Sequence, residues 1–283
     1  MIIQCIFEGI VIGSILALIS MGIALIWGVM NVLSFSQGEF LMIGMYLTFF
    51  FNKNLGLDPI ISIPFTAVIM FALGVLVYKT LIRKALKGPI LSQRLITFAL
   101  SMVLVNGMLM LVTSEFRTIP KVIFTGTVDF GFLVISKEKL VPLMVSVLVT
   151  GALFLFMNKT NIGKAIRATS LNKDAEELVG IDTEFSYMLA FGIASAIAGT
   201  AGCVLSYYYY ITPTVGTSFL LFGLIAVALG GFGSIFGAYI GGLLMGIVDV
   251  FAGVYFNTAF KYVAVCALFM LVVSFRPKGL FGK

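Results

Sequence analysis

Nine apolar runs, at 5–30, 37–51, 59–79, 94–113, 139–157, 185–206, 218–231, 235–256 and 259–275, constrain this chain more than any other feature. Each is continuous rather than alternating, so the pattern is that of helices and not of barrel strands. With 60% hydrophobic residues, one water-soluble core cannot hold so much apolar side chain. Charged residues make up 11%, against about 25% in a soluble domain. Lipid is the expected solvent, and there every backbone polar group needs an internal partner. The reading is an all-α integral membrane protein, a polytopic bundle forming a single transmembrane domain over 1–283. Two runs, 37–51 and 218–231, fall short of the roughly 20 residues a crossing needs. They are expected to be tilted, broken or re-entrant, which puts the bundle at eight or nine transmembrane helices. The opening MIIQC carries no positive n-region. The run after it is too long for a signal-peptide core, so a retained span is expected there.

Basic residues set the orientation. The net charge of +6 would suggest nucleic acid in a soluble protein; here it reads as the cytoplasmic excess of Lys and Arg, with no nucleic-acid partner. The loop at 79–94 holds Lys79, Arg83, Lys84, Lys87 and Arg94 and no acid. The segment 158–184 adds four basic residues, and the tail adds Arg276, Lys278 and Lys283. These regions are consistent if all lie inside. The loop at 114–138 is then outside, and its Val, Ile, Phe and Thr content, with Glu115, Asp129 and Glu138, predicts a small strand pair. Nine crossings put the N-terminus outside; if 37–51 does not cross, it is inside.

The segment Asn158–Glu184 is charged yet helically patterned. It holds nine of the chain's 30 charges. Ile162 and Ile166 are four apart; Leu171, Ala175 and Leu178 follow steps of four and three. Asn172 is placed to N-cap a helix with Asp174 and Glu176 in its first turn, where the dipole favours negative charge. Gly180 is placed to end it. The spacing predicts two short amphipathic helices, about 162–169 and 173–179, outside the bilayer. A bare linker needs no apolar residues at helical spacing, so this loop is expected to dock onto another protein.

Small residues recur at four-residue steps: Gly9, Gly13 and Ala17, then Ala194, Ala198 and Gly202. Such faces let helices approach closely in lipid. In GGFGSIFGAYIGG at 230–242, Gly233, Gly237 and Gly241 share one face at the same step. A GxGxxG nucleotide fingerprint fails there: Phe236 stands where the third glycine belongs, and no βαβ context surrounds it. Packing or a helix break is the reading.

No catalytic constellation is present. The chain has no histidine, so a Ser-His-Asp triad is impossible. Cys5, Cys203 and Cys266 are isolated and suit neither a metal site nor a disulfide framework; they read as small packing residues. No GxxxxGK[ST] occurs, so ATP is not hydrolysed here through a P-loop. Three acids fall within apolar runs, Glu8, Glu39 and Asp249, and ionisable groups there are functional candidates by default. Glu8, near a run end, reads as reaching the headgroups. Asp249 reads equally as a bundle-pairing or a pathway residue. Glu39 closes a polar break with Asn31, Ser34, Ser36 and Gln37, groups that must face water, a cavity or each other. That break is either an interfacial turn or a cavity-lining element. Tyr207–Tyr210 read as an interfacial aromatic belt, with binding to a docking protein or a solute as the alternative.

The stretch IGSILALISMGIALIWGVMNVLSFSQGEFLMIGMYL resembles the start of permease subunits of bacterial ABC importers for branched-chain amino acids, the shorter LivH-type subunit. The resemblance lies in Gly28-Val29-Met30-Asn31, Gly38-Glu39-Phe40 and Gly44-Met45-Tyr46. The family usually has histidine before the Gly-Glu pair; here Gln37 stands there, and no role of that histidine carries over. Gly163, Ala165, Arg167, Ala168, Ala175, Leu178, Gly180 and Ile181 match the family's cytoplasmic signature, which contacts the ATPase subunit. Leu229–Ser234 with Gly237-Ala238, and Arg276–Gly282, also match.

The resemblance implies a multi-pass permease subunit, not an enzyme, in a bacterial or archaeal cytoplasmic membrane. It implies a second permease subunit, homologous or identical, two ATP-binding subunits and an extracytoplasmic solute-binding protein. No cofactor is expected on this chain, with ATP and Mg on the partner ATPase. Translocation-path candidates are Asn31, Ser36, Gln37, Gly38, Glu39, Asn106 and Asp249. Related permeases handle urea, short amides and other amino acids, so the solute stays open, and a self-contained secondary carrier or channel is the rival class.

Overall fold

The computed structural model describes residues 2–119, 126–129, 134–171, 182–256, 260–276 and 278–282. Its apolar helices follow the nine runs. They are α1 (Ile2–Met30), α2 (Gln37–Leu55), α3 (Pro59–Val77), α4 (Ile90–Val112) and α5 (Lys137–Lys159). A short amphipathic helix follows, α6 (Asn161–Leu171). The apolar series resumes with α7 (Thr183–Leu205), α8 (Val215–Gly230), α9 (Ile235–Tyr255) and α10 (Phe260–Phe275). Helix α3 runs on through a π-helical turn, Tyr78–Ile82, and a last helical turn, Arg83–Ala85. Six helices, α1, α3 with its extension, α4, α5, α7 and α9, are long and apolar enough to cross a membrane. α8 and α10 have 16 residues each, about 24 Å of helix. The predicted strand pair is present: β1 (Thr127–Asp129) pairs antiparallel with β2 (Val134–Ser136).

Helix α1 is the axis of the bundle. From Gly13 to Ile26 every residue is buried. Lipid offers no hydrophobic reason to pair helices, so close backbone approach must hold them. The Gly9–Gly13–Ala17 face supplies it against α9. A Cβ on Gly9 would sit 2.6 Å from the Ile247 Cα, and one on Gly13 2.9 Å from the Leu243 Cα. Gly242 lies against Ala17 and Gly246 against Gly13. Helix α7 is a second packing centre. Its Gly199 backs onto Gly44 of α2 and Met70 of α3, and its Gly202 meets Leu41. By contrast α4, α5 and α10 present Val103, Met110, Leu148, Val263 and Met270 outward, the surface expected to face lipid.

Turn chemistry fixes the ends. Gly56 closes α2 in the left-handed region, φ 65°, with its N–H on the Asn52 carbonyl. Two residues on, the Asp58 carboxylate caps α3 by accepting the Ile60 N–H at 2.9 Å, and Pro59 fills the first helical position. Gly233 departs from the one-face expectation. It precedes α9 in a turn, φ 82°, while Gly237 and Gly241 lie inside the helix against Gly230 and Ala226 of α8. Ser234 is the reason: its hydroxyl accepts the Gly237 N–H at 3.0 Å and starts the helix there. Segment 278–282 seals this turn, with the Leu280 and Phe281 N–H groups on the Leu229 and Gly230 carbonyls.

Candidate functional site

The polar break between α1 and α2 folds into the bundle. Asn31 ends α1 with φ 54°, its N–H on the Trp27 carbonyl, and its side chain is exposed. The chain then turns inward. Ser34, Ser36, Gln37 and Glu39 are all fully buried, and the Ser34 and Ser36 hydroxyls bond at 3.1 Å. Gly38 lets α2 cross α8 backbone to backbone at Gly216. Glu39 lies in the first turn of α2, where the helix dipole favours a carboxylate. Its Oε1 accepts from the Ser101 hydroxyl of α4 at 3.0 Å. Thr217 of α8 is a second hydroxyl partner of the same carboxylate, while both polar atoms of the Gln37 amide are buried with no hydrogen-bond partner. Leaving such groups unpaired costs about 1–3 kcal/mol each. An exposed interfacial turn does not fit this geometry, since the turn is enclosed by α1, α2, α4 and α8.

Asn106 does not join this cluster. It is exposed on α4 and donates to the Met102 carbonyl of its own helix at 2.7 Å. Asp249 is also separate. It pairs with Lys261 of α10 at 3.3 Å and lines a cavity of about 230 Å³ between α1, α8, α9 and α10. Glu8, expected at headgroups, is partly exposed and pairs with Lys139 of α5 at 2.7 Å. The tyrosine run divides. Tyr207 is buried and donates its hydroxyl to Asp58, while Tyr210 is exposed. A plain aromatic belt therefore describes only part of it.

Helix α6 carries Gly163, Ala165, Arg167 and Ala168. Gly163, Ile166 and Thr169, three apart, are buried against the bundle. Gly163 permits this by lying on the end of α5, where an added Cβ would meet the Met157 Cα at 2.6 Å. The other edge, with Ile162, Lys164 and Arg167, is exposed. Arg167 donates to the Asn158 carbonyl oxygen Oδ1 at 2.6 Å. Asp174, Ala175, Glu176, Leu178, Gly180 and Ile181, with the expected helix at 173–179, lie outside the described residues. Arg83 and Glu184 form a two-point ion pair, at 3.1 and 2.6 Å. Both side chains are about half exposed, so it adds little stability.

Two participants escaped the sequence reading: Ser101 and Lys261. Lys261 left the clearer signal, a base in the first turn of an apolar run. A serine in a long apolar helix carries no such mark.

Lipid-length helices, small-residue seams and polar groups drawn inside the bundle define a multi-pass helical membrane protein. The chain belongs to the branched-chain amino acid transport system permease component family, whose sequence model matches residues 5–273. It is 31% identical to the high-affinity branched-chain amino acid transport system permease protein BraD of Pseudomonas aeruginosa, over 99% of this chain and 95% of that protein. It is likewise 31% identical to LivH of Escherichia coli, over 99% and 95%. A probable LivH of Methanocaldococcus jannaschii is 29% identical over 99% and 92%. Among solved structures, PsaBC from Streptococcus pneumoniae in complex with Fab matches with a TM-score of 0.50 at 15% identity, covering 96% of this chain and 91% of that one. That likeness concerns the fold alone.

Proposed function

We propose that this chain is the membrane-spanning subunit of an ATP-driven importer for branched-chain amino acids. The observation that carries the reading is full-length similarity to permeases of that specificity, from residue 5 to residue 273 of this chain. A second permease subunit, two ATPase subunits and a solute-binding protein complete the assembly. ATP and Mg belong to the ATPase pair.

Nine crossings are proposed, with the N-terminus outside and the tail inside. Helix α2 supports this: its 19 residues span about 28 Å, close to the roughly 30 Å hydrocarbon core. Nine crossings also gather Lys79–Arg94, α6 and the tail on one side, as the distribution of basic residues requires.

The working cycle is alternating access. Helix α6 and the segment to Ile181 form the coupling element. Its buried edge is anchored on α5, α7 and α1, and its exposed edge, with Arg167, faces the ATPase. ATP can shift the equilibrium only if the ATPase grips this edge differently in its two states. The enclosed group of Ser36, Gln37, Gly38 and Glu39 is the proposed moving part of the path. The unpaired Gln37 amide gains partners when α1, α2 and α8 rearrange or water enters.

Reconstituted vesicles test the reading. Uptake of L-leucine, L-isoleucine or L-valine should require the ATPase subunits and ATP. Uptake by this chain alone, driven by an ion gradient, would sink it.

A further inference from the structure

We infer that the cavity around Asp249 and Lys261 is a binding site for the zwitterionic head of a small apolar amino acid. The inference rests on the importer reading and deepens it. The cavity lies where α1, α8, α9 and α10 meet the end of α7. Helix α7 runs 23 residues from the Arg83–Glu184 end to this one, which separates them by about 35 Å. The cavity thus sits at the opposite end of the bundle from the coupling element, where solute released by a binding protein would arrive.

Two opposite charges face each other here within a mostly apolar and aromatic wall. Asp249 is buried and Lys261 half-buried, with Nζ 3.3 Å from Oδ2. That is longer than the roughly 2.7–2.9 Å of a tight charge-assisted bond. A buried ion pair is a poor way to stabilise a bundle, since apolar residues of similar volume often do better. It is well suited to exchange. An incoming ammonium takes the Asp249 carboxylate, an incoming carboxylate takes the Lys261 ammonium, and no charge is left unpaired. A neutral polyol offers nothing equivalent and would have to leave the pair closed.

A second observation points the same way. Tyr208 lines the cavity, and its hydroxyl is buried without a partner. Once solute entry opens the wall, it becomes a donor for a carboxylate held on Lys261. The remaining wall is mostly apolar and aromatic, with Ser218 as a further polar side chain. Phe222 and Tyr262 stack at 5.5 Å, and Phe219 lies against Tyr209 at the same centroid distance. These faces suit an aliphatic side chain, and an ammonium near them gains from the ring quadrupoles. The volume, about 230 Å³, is below the roughly 300–1,000 Å³ of drug-sized pockets and fits a small solute.

The test is ATP-driven uptake of radiolabelled L-leucine by vesicles holding the chain with its companion permease and ATPase subunits. Two variants are compared with wild type. Asp249→Asn with Lys261→Met removes both charges together and leaves none unpaired; uptake should fall at least about ten-fold. Tyr208→Phe deletes a hydroxyl that has no structural partner. It should raise the KM about ten-fold, the loss of a hydrogen bond to a charged group, with an unchanged or higher thermal midpoint. Wild-type kinetics in Tyr208→Phe, or in a correctly inserted double variant, would overturn the site while leaving the importer reading intact. If wild type shows no ATP-driven uptake, the importer reading fails, and direct binding to the purified chain decides the site. L-leucine should then bind by saturation-transfer NMR at least about ten-fold more tightly than 4-methylpentanoate or isoamylamine, which lack one charge each. Equal binding of the three, or none of L-leucine, rules the site out.

Discussion

Ser101 of α4 donates its hydroxyl to the buried carboxylate of Glu39 in α2, 3.0 Å away and 62 positions earlier in the chain. The bond ties a peripheral helix to the enclosed polar break. Thr217 of α8 is the carboxylate's other hydroxyl neighbour. Ser101→Ala should therefore cost about 1.5–3 kcal/mol, the range for a hydrogen bond to a charged group. Denaturant midpoints in micelles measure it. A Ser101→Ala midpoint equal to wild type would place the Glu39 carboxylate in contact with water instead.

The seam between α1 and α9 predicts a sharp contrast among glycines. A Cβ on Gly246 would press on the Gly13 Cα and lie 2.5 Å from the Gly9 carbonyl oxygen, all backbone. Backbone cannot swing aside, so Gly246→Ala should destabilise by at least the roughly 1–3 kcal/mol typical of overpacking. Gly107 and Gly151 have nothing within 4 Å of an added Cβ. Alanine at either should leave the thermal midpoint of the isolated chain unchanged or raised. Equal losses at all three sites would contradict this packing.

Coupling is tested on α6. Arg167→Glu reverses the charge of an exposed edge and touches no buried contact. It should abolish co-purification of the ATPase while membrane insertion and yield stay normal. Gly163→Val should do the same by a different route, because its side chain would meet the Phe156 and Met157 backbone and lift the helix off α5. Normal co-purification with both variants would remove α6 from the coupling element.

At the other end, Tyr207 donates its hydroxyl to Asp58, the residue that caps α3. Both groups are buried. Tyr207→Phe keeps the ring and removes the bond to a carboxylate, at an expected cost of about 1.5–3 kcal/mol. Asp58→Ala loses this bond and the helix cap together, so it should cost more, by about 1 kcal/mol for the cap. Thermal midpoints of the two variants give the order, and Asp58→Ala above Tyr207→Phe would refute it.

Much of the architecture is legible in one dimension. The helix at 37–51 is visible as an apolar run, and its true end at Leu55 follows from Gly56. The strand pair at 127–136 is foreshadowed by β-branched residues in an otherwise helical chain. The small-residue steps at Gly9, Gly13 and Ala17 announce a close helix crossing without naming its partner. Gly233 shows the limit of that reasoning. Spacing of four places it on the α9 face, yet the Ser234 cap starts the helix after it.

Membrane character, the run of apolar helices and the amphipathic pattern of the segment after α5 were determined by the sequence alone. Each depends only on local composition and on periodicity within a single helix. Tertiary structure decided which helix is central and which polar groups meet. Helices α1 and α4 are both apolar almost all round, yet one is the buried axis and the other faces outward. In lipid an apolar side chain is at home on either face, so hydrophobicity cannot tell core from periphery. Backbone fit does, through Gly9, Gly13, Gly242 and Gly246. That fit then brings Ser101 to Glu39 and Lys261 to Asp249, meetings that no local pattern encodes.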